Sequence, residues 1–237
     1  MQDEKYRRIG EPLFPELKSL DFLLRQKSLM TESGWESEYQ QSPIIVGGGI
    51  FPIEKFRTLS VLDRNKITGS CRYWDKAATA GGDGAYTAGV LMHSMSDGTF
   101  VVEHVIRGRW SALQREEIIK PMARNDRAKI SEPYDIVIEQ EPGSGGKESA
   151  ESTIRMLAGY RVYADRVTGS KEVRAEPYAA QVQAGNVFLI AGDWQYQFLD
   201  EHESFPNGKY KDQVDASAGA FARLTQGLQY NLDAMAS

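Results

Sequence analysis

The sequence predicts an α/β fold: a mixed sheet with helices on its faces. Three observations carry this. Strand-like runs between Ser70 and Arg109 follow one another with connections of hairpin length. From Ser111 onward, helical and strand patterns alternate, as βαβ units do. A long helical pattern from Asp212 to Leu228 closes the chain.

The elements are read in order. Ser70 to Lys76 is a short strand ending in Tyr73-Trp74-Asp75, and Ala85 to Met95 is the next. Ser96-Asp97-Gly98 has the turn chemistry of a hairpin, leading into a third strand from Thr99 to Arg109, rich in β-branched and aromatic residues. Ser111 with Gln114 three residues later forms a capping box, so a helix starts there and runs to about Arg124. Tyr134 to Gln140 is a fourth strand, with Ile136, Val137 and Ile138 as its buried run. Residues 142–146 read as a Gly-rich loop before a helix from Glu148 to Leu157. Arg161 to Arg166 is a fifth strand, and Lys171 to Gln183 a helix containing Pro177. Val187 to Ala191 is a short strand, followed by a helical turn or more from Trp194 to Phe198.

Residues 1–60 differ in character. Pro12, Pro15, Pro43 and Pro52 interrupt them, and Gly47-Gly48-Gly49 adds a flexible patch. Leu17 to Met30 has the pattern of an amphipathic helix and Ser33 to Gln41 that of a second, short one. The segment reads as an extension or linker that packs on a domain spanning 61–237.

Composition narrows the function classes. A chain of 237 residues suits one large domain, or a domain plus an extension. Hydrophobic residues at 41% and charged residues at 26% are ordinary globular usage and exclude wholesale disorder. Lys and Arg number 28 against 33 Asp and Glu, a formal charge of −5, which weighs against a nucleic-acid partner. The single cysteine, Cys71, excludes an intrachain disulfide framework and fits a reducing cytoplasm. Three histidines and one cysteine cannot supply a Cys/His zinc site. No run of 18 apolar residues exists, and the charged N-terminus (Asp3, Glu4, Lys5, Arg7, Arg8) precedes no apolar stretch, so neither a membrane span nor a signal peptide is expected.

Three acidic sites, the last with two acids, fall where this architecture can unite them. Asp75 ends the first of these strands, and Glu139 ends the fourth, two residues before Glu141. Asp212 and Asp215 open the last helix three residues apart, and so share one of its faces. Carboxylates drawn together repel unless a cation holds them, and hard oxygen ligands suit Mg²⁺ or Mn²⁺. Two such ions about 4 Å apart can clamp the attacking and leaving oxygens of a phosphodiester. Spacing alone leaves plainer roles open: Asp75 as a solvated strand end, Asp212 as a helix cap, Glu141 as a loop acid.

Several segments together resemble the nuclease domain of large terminase subunits of tailed bacteriophages. They are Tyr73-Trp74-Asp75-Lys76-Ala77, Gly82 to Val90 with Asp97-Gly98-Thr99-Phe100, and Glu139 to Lys147. Gly169-Ser170-Lys171 with Arg174-Ala175 and Pro177, and Phe205-Pro206-Asn207-Gly208 leading to Asp212-Gln213-Val214-Asp215-Ala216, complete the set. Upstream, Tyr39-Gln40-Gln41-Ser42-Pro43 resembles the segment that joins the motor's ATPase domain to this nuclease. The likeness extends over residues 35–228. It implies an RNase H-like fold and an endonuclease that cuts concatemeric viral DNA during genome packaging, using two Mg²⁺ or Mn²⁺ ions. By the same resemblance Asp75 matches the family's first metal-binding Asp, Glu139 the acid on the fourth strand with Glu141 as the alternative, and Asp212 and Asp215 the two acids of the last helix; Asp75 is then expected to bridge the ions, with Glu139 and Asp212 holding one each and Asp215 assisting. The implied partners are double-stranded DNA, a portal protein and a small terminase subunit, in the host cytoplasm. An ATPase domain is implied too, yet no Walker A loop occurs here: in the run ending Gly146-Lys147, Glu141 stands where the first Gly belongs and Glu148 follows the Lys. The family often has His-Asp before the acid matched by Asp212, where this chain has Tyr210-Lys211.

Lys171 and Arg174 lie on one helical side within a matched motif and are expected to face DNA, as are Arg107, Arg109 and Lys147. Lys76 points to the sheet face opposite Asp75 if the strand continues. The four tryptophans read as packing residues, and Cys71 as a small buried apolar one. The readings that compete with a packaging nuclease are an RNase H-like resolvase or recombinase, a non-catalytic module that docks a packaging motor, and a two-carboxylate carbohydrate enzyme.

Overall fold

Cys71 and Tyr73 pack in one hydrophobic cluster and Trp74 in another, so the alternation of a single strand separates the two layers of the molecule. That strand, β2 (Ile67–Asp75), lies inside a seven-stranded sheet with β1 (Arg57–Leu59), β3 (Thr87–Met95), β4 (Phe100–Gly108), β5 (Tyr134–Glu139), β6 (Arg161–Asp165) and β7 (Val187–Ile190). The computed structural model describes residues 12, 14–30, 35, 38–39, 49–77, 84–131 and 133–235, with side chains to 226. The strand order is β1-β7-β4-β3-β2-β5-β6. β3 runs antiparallel to β2 and β4, while the β2–β5, β5–β6, β4–β7 and β1–β7 pairs are parallel. The sheet is therefore mixed, as the hairpins followed by βαβ units require.

Helices α1 (Leu20–Ser28), α2 (Ala112–Lys129), α3 (Ser144–Met156), α4 (Lys171–Gln183), α5 (Gln195–Ser204) and α6 (Asp212–Met235) accompany it. Residues of α4 and α6 share one cluster with Cys71, Tyr73, Val90 and Val137. Residues of α2 and α3 share the other with Trp74, Leu91, Ile136 and Ile138. Among the described residues no helix is long and apolar enough to cross a membrane.

Most elements stand where the sequence places them, and the Ser111–Gln114 capping box is formed in both directions. The differences have local causes. α2 continues to Lys129 because its last turn is anchored: the buried Arg72 donates to Asp126 through Nε at 2.8 Å and Nη2 at 2.9 Å, and Tyr134 donates to Asp126 at 2.9 Å. α3 begins at Ser144 and takes in part of the expected loop. Gly143 turns the chain at φ 95°, and a Cβ on Gly146 would lie 2.2 Å from the Glu141 carbonyl. α5 extends to Ser204 because Phe198 and His202 are wholly buried against Phe51, Phe56 and Tyr178. β1 went unread because three residues show no periodicity; it pairs with β7 from Arg57↔Phe188 to Leu59↔Ile190. Phe51 joins the core beside it, so the end of the 1–60 segment packs on the domain. α1 buries none of its residues. The Gly47–Gly49 patch apart from Gly49, most of the expected 33–41 helix and the start of the 82–90 motif lie outside the described residues.

α6 lies close on the sheet because it presents small residues there, Ala216, Gly219 and Ala220 among them. A Cβ on Gly219 would stand 2.3 Å from the Tyr73 ring. Gly219→Ala should therefore push α6 off β2 and destabilise the fold by about 1–3 kcal/mol, despite the better helix propensity of Ala. Thermal unfolding should show a midpoint lower by several degrees. An unchanged midpoint would mean that the ring has room to retreat.

Candidate active site

The parallel register of β2 and β5 pairs Tyr73 with Val137 and Trp74 with Ile138. The next residues along, Asp75 and Glu139, therefore end the two strands side by side. Both have the parity of Tyr73 and Val137, so both point to the α4/α6 face. Both are buried, at 8% and 9% exposure. α6 begins above them with Asp212 and Asp215, also buried. The four acids named from the sequence thus converge on one end of the sheet.

Their partners are specific. Ser170 caps α4, accepting from the Val173 amide at 3.3 Å, which sets Lys171 in the first turn and Arg174 one turn on, on the same side. The Lys171 ammonium bonds Asp215 Oδ2. Arg174 reaches Asp215 Oδ1 at 3.1 Å and Glu139 Oε2 at 3.3 Å. Asp212 Oδ2 accepts from the Tyr86 amide at 2.9 Å. Among the described residues none donates a hydrogen bond to the Asp75 carboxylate.

Burial raises the pKa of Asp75 well above the usual carboxylate range, and Glu139, Asp215 and Asp212 add to it against the pull of Lys171. Glu139 and Asp215 are raised as well, again chiefly by burial, with Arg174 and Lys171 opposing. Burial works against the Lys171 ammonium, yet Asp215 keeps its pKa above the ordinary value. The cluster is short of positive charge even with both cations in place.

Sequence reasoning missed three participants. Asp165 ends β6 in register with Glu139 and accepts from the Tyr73 hydroxyl at 2.7 Å. Tyr73 lies 3.4 Å from Glu139 Oε2 through the same hydroxyl. A strand ending in an acid, as at Asp75 and Glu139, was the available signal for Asp165. Glu201 had none: buried on α5, it accepts from the backbone and side chain of Gln213, each at 2.6 Å, and so fixes the start of α6.

The remaining named cations are spread more widely. Arg107 pairs with Glu201 at 2.8 Å, and Arg109 bonds the Gly84 carbonyl at 3.1 Å and the Tyr210 hydroxyl at 2.8 Å. Both guanidiniums lie over the Tyr86 ring, at 4.6 and 4.2 Å, next to Asp212. Lys147 is exposed on α3, 3.7 Å from Glu151. Lys211 turns toward Glu172, at 3.8 Å, rather than onto the acids. Glu141 is exposed, beyond the cluster.

Among the described residues no three His, Cys, Asp or Glu side chains are close enough to cage an ion as they stand. The donor set nonetheless suits a hard divalent cation: four buried carboxylates, one without a hydrogen-bond donor, held in part by an ammonium and a guanidinium. Asp75, Glu139, Asp212 and Asp215 are the residues that could hold it.

A raised carboxylate pKa means that the folded state keeps protons the unfolded chain releases. Stability is then lost as pH rises from the ordinary carboxylate value through the raised one. In EDTA, Asp75→Asn should raise the thermal midpoint at neutral pH by roughly 2–4 °C for each kcal/mol relieved, and the gain should shrink on acidification. A divalent ion should stabilise the wild type more than the variant. Coincident melting curves across pH would show that Asp75 carries no such strain.

A family model described as the Terminase RNaseH-like domain matches residues 72–224. Among solved structures, the chain is similar to the large terminase nuclease of thermophilic phage G20c with bound magnesium: TM-score 0.53, 14% identity, 75% of this chain and 98% of that one. The same nuclease solved with zinc gives a TM-score of 0.52 at 16% identity, covering 73% and 98%. The Thermus phage P74-26 large terminase nuclease domain gives 0.50 at 15% identity, covering 75% and 96%. No curated protein sequence matches. At these identities the structures establish a shared RNase H-like fold, and the family model covers well over half of the chain: this chain belongs to the terminase RNaseH-like domain family.

Proposed function

We propose that this chain is the nuclease domain of a DNA-packaging motor: a divalent-metal-dependent endonuclease that cuts concatemeric double-stranded viral DNA as a genome is packaged. The observation that carries this is the meeting of Asp75 and Glu139 at the ends of adjacent parallel strands, beneath Asp212 and Asp215. Family membership and the structures of related nucleases holding magnesium, zinc or cobalt support it. Two Mg²⁺ or Mn²⁺ ions are the proposed cofactors.

In this reading Asp75, Glu139, Asp212 and Asp215 would hold the ions, with Asp75 central and Asp215 assisting. Bound divalent ions at such a site activate the attacking water and stabilise the leaving 3′ oxygen. Arg174 orients Glu139 and Asp215 together through its two amino groups. Tyr73 ties Asp165 to the same edge, and Glu201 holds α6 so that Asp212 and Asp215 face the strand ends. Lys171 and Arg174 neutralise the acids until cations do so, and are then available to the DNA backbone. Arg107 and Arg109, stacked on Tyr86, and exposed Lys147 extend that positive rim. A domain of 61–237 extended by Phe51 and β1 at the end of the 1–60 segment, delivered to DNA by an ATPase domain through the rest of that segment and by portal and small-subunit partners in the host cytoplasm, completes the proposal.

The test is cleavage of plasmid DNA in Mn²⁺. Asp75→Ala should lose activity by several orders of magnitude while its circular dichroism spectrum is unchanged, and EDTA should silence the wild type. Full activity in the variant, or in excess EDTA, would sink the mechanism.

A further inference from the structure

Lys76 follows Asp75 but points to the other face of the sheet, as strand parity requires. It lies under α3, and only 7% of it is exposed. Its ammonium donates to the Ser149 carbonyl and hydroxyl, each at 2.8 Å, and to the Thr153 hydroxyl at 3.1 Å. All three are neutral oxygens. Arg115 on α2 bonds the Ala77 carbonyl, another neutral oxygen. Most cations around the carboxylates have acidic partners: Lys171 and Arg174 have Asp215, Arg107 has Glu201, and Lys211 has Glu172. Lys76 and Arg115 have none within ion-pair distance among the described residues.

The two cations line a cleft of roughly 360 Å³, continuous through Lys76, Arg115, Gly145 and Ser149 with a second lobe of roughly 330 Å³. The cleft is bounded on its other side by Glu139, one of the four clustered acids, so it opens beside the candidate active site. One wall is the first turn of α3, whose N-terminal amides have no side-chain cap. Glu141, Glu148 and Glu116 also border the two lobes, the first two exposed to solvent.

We propose that this cleft is a phosphodiester subsite, in which Lys76 and Arg115 hold the backbone phosphate that flanks the one presented to Asp75 and Glu139. The inference rests on the nuclease reading. Asp75 and Lys76 leave the same strand end on opposite faces, so a DNA strand crossing the ends of β2 and β5 offers successive phosphates to the acids and to the cleft. The cations then fix which phosphate reaches the carboxylates.

The experiment measures binding of a short DNA duplex in EDTA, where nothing is cut, over a range of salt concentrations. Arg115→Gln, with its fold checked by thermal melting, should bind about tenfold more weakly. Its dependence of log Kd on log salt should be shallower by about one. Lys76→Met should do the same if it folds. Lys66→Gln, at the opposite end of β2, should bind as the wild type does. Equal affinity and equal salt slope for Arg115→Gln and the wild type overturn the subsite. So does failure of the wild type to bind at low salt. Stabilisation of the wild type but not Arg115→Gln by inorganic phosphate or ATP, with DNA binding unchanged, would instead assign the cleft to a free phosphate and reject the proposal. Failure of the nuclease reading is seen separately, as absence of wild-type cleavage in Mn²⁺.

Discussion

Four carboxylates buried at one end of a sheet cannot all stay charged without positive charge beside them, and much of this structure answers that constraint. Burial and mutual repulsion raise the pKa of Asp75, Glu139 and Asp215. Lys171 and Arg174 offset part of the deficit from α4, whose serine cap and helical spacing bring both cations to the same acids. The bare face of α6 at Gly219 and the Glu201 contact at its start bring the other two acids down to the strand ends. A site that still lacks positive charge after these contacts is predisposed to a divalent cation, with its oxygen donors already gathered by the fold.

The strand alternation that gathers the acids also separates them from the second set of charges. Odd-numbered residues of β2 carry the carboxylate toward α4 and α6, while even-numbered ones carry Arg72 and Trp74, and Lys76 just beyond the strand follows them, toward α2 and α3. Arg72 has a buried carboxylate partner there, Asp126, and is spent on holding α2. Lys76 has only neutral oxygens. One strand end therefore presents an anion site and a cation site back to back, an arrangement suited to a polyanion whose charges recur along its length.

This changes the meaning of the net charge of −5. Taken as a bulk property it argues against nucleic acid. Much of the acid excess that bears on function is concentrated in one cluster, where bound cations would reverse the local sign. Outside that cluster many Arg and Lys side chains are already tied to acids, so the chain alone should hold DNA weakly and with strong salt sensitivity. On the proposed reading, such a nuclease would depend on being delivered to its substrate.

Strand and helix identities, the hairpin at Ser96-Asp97-Gly98, the cap at Ser111 and the four acids were legible because each is written in a local pattern: period two, period 3.6, or a capping pair. The acids stood out as charges at the ends of buried apolar runs. β1 is too short to show a period, and the first turn of α3 is masked by glycines that usually mark loops. The pairing of Lys171 and Arg174 with the acids, the roles of Tyr73, Asp165 and Glu201, and the bonding of Lys76 and Arg115 to neutral oxygens depend on residues from distant parts of the chain. Local sequence determined which residues could be charged, buried and aligned on one face. Only the tertiary structure decided which charges meet, because electrostatic partnership depends on distance in space and on exclusion of water, and neither is encoded in spacing along the chain.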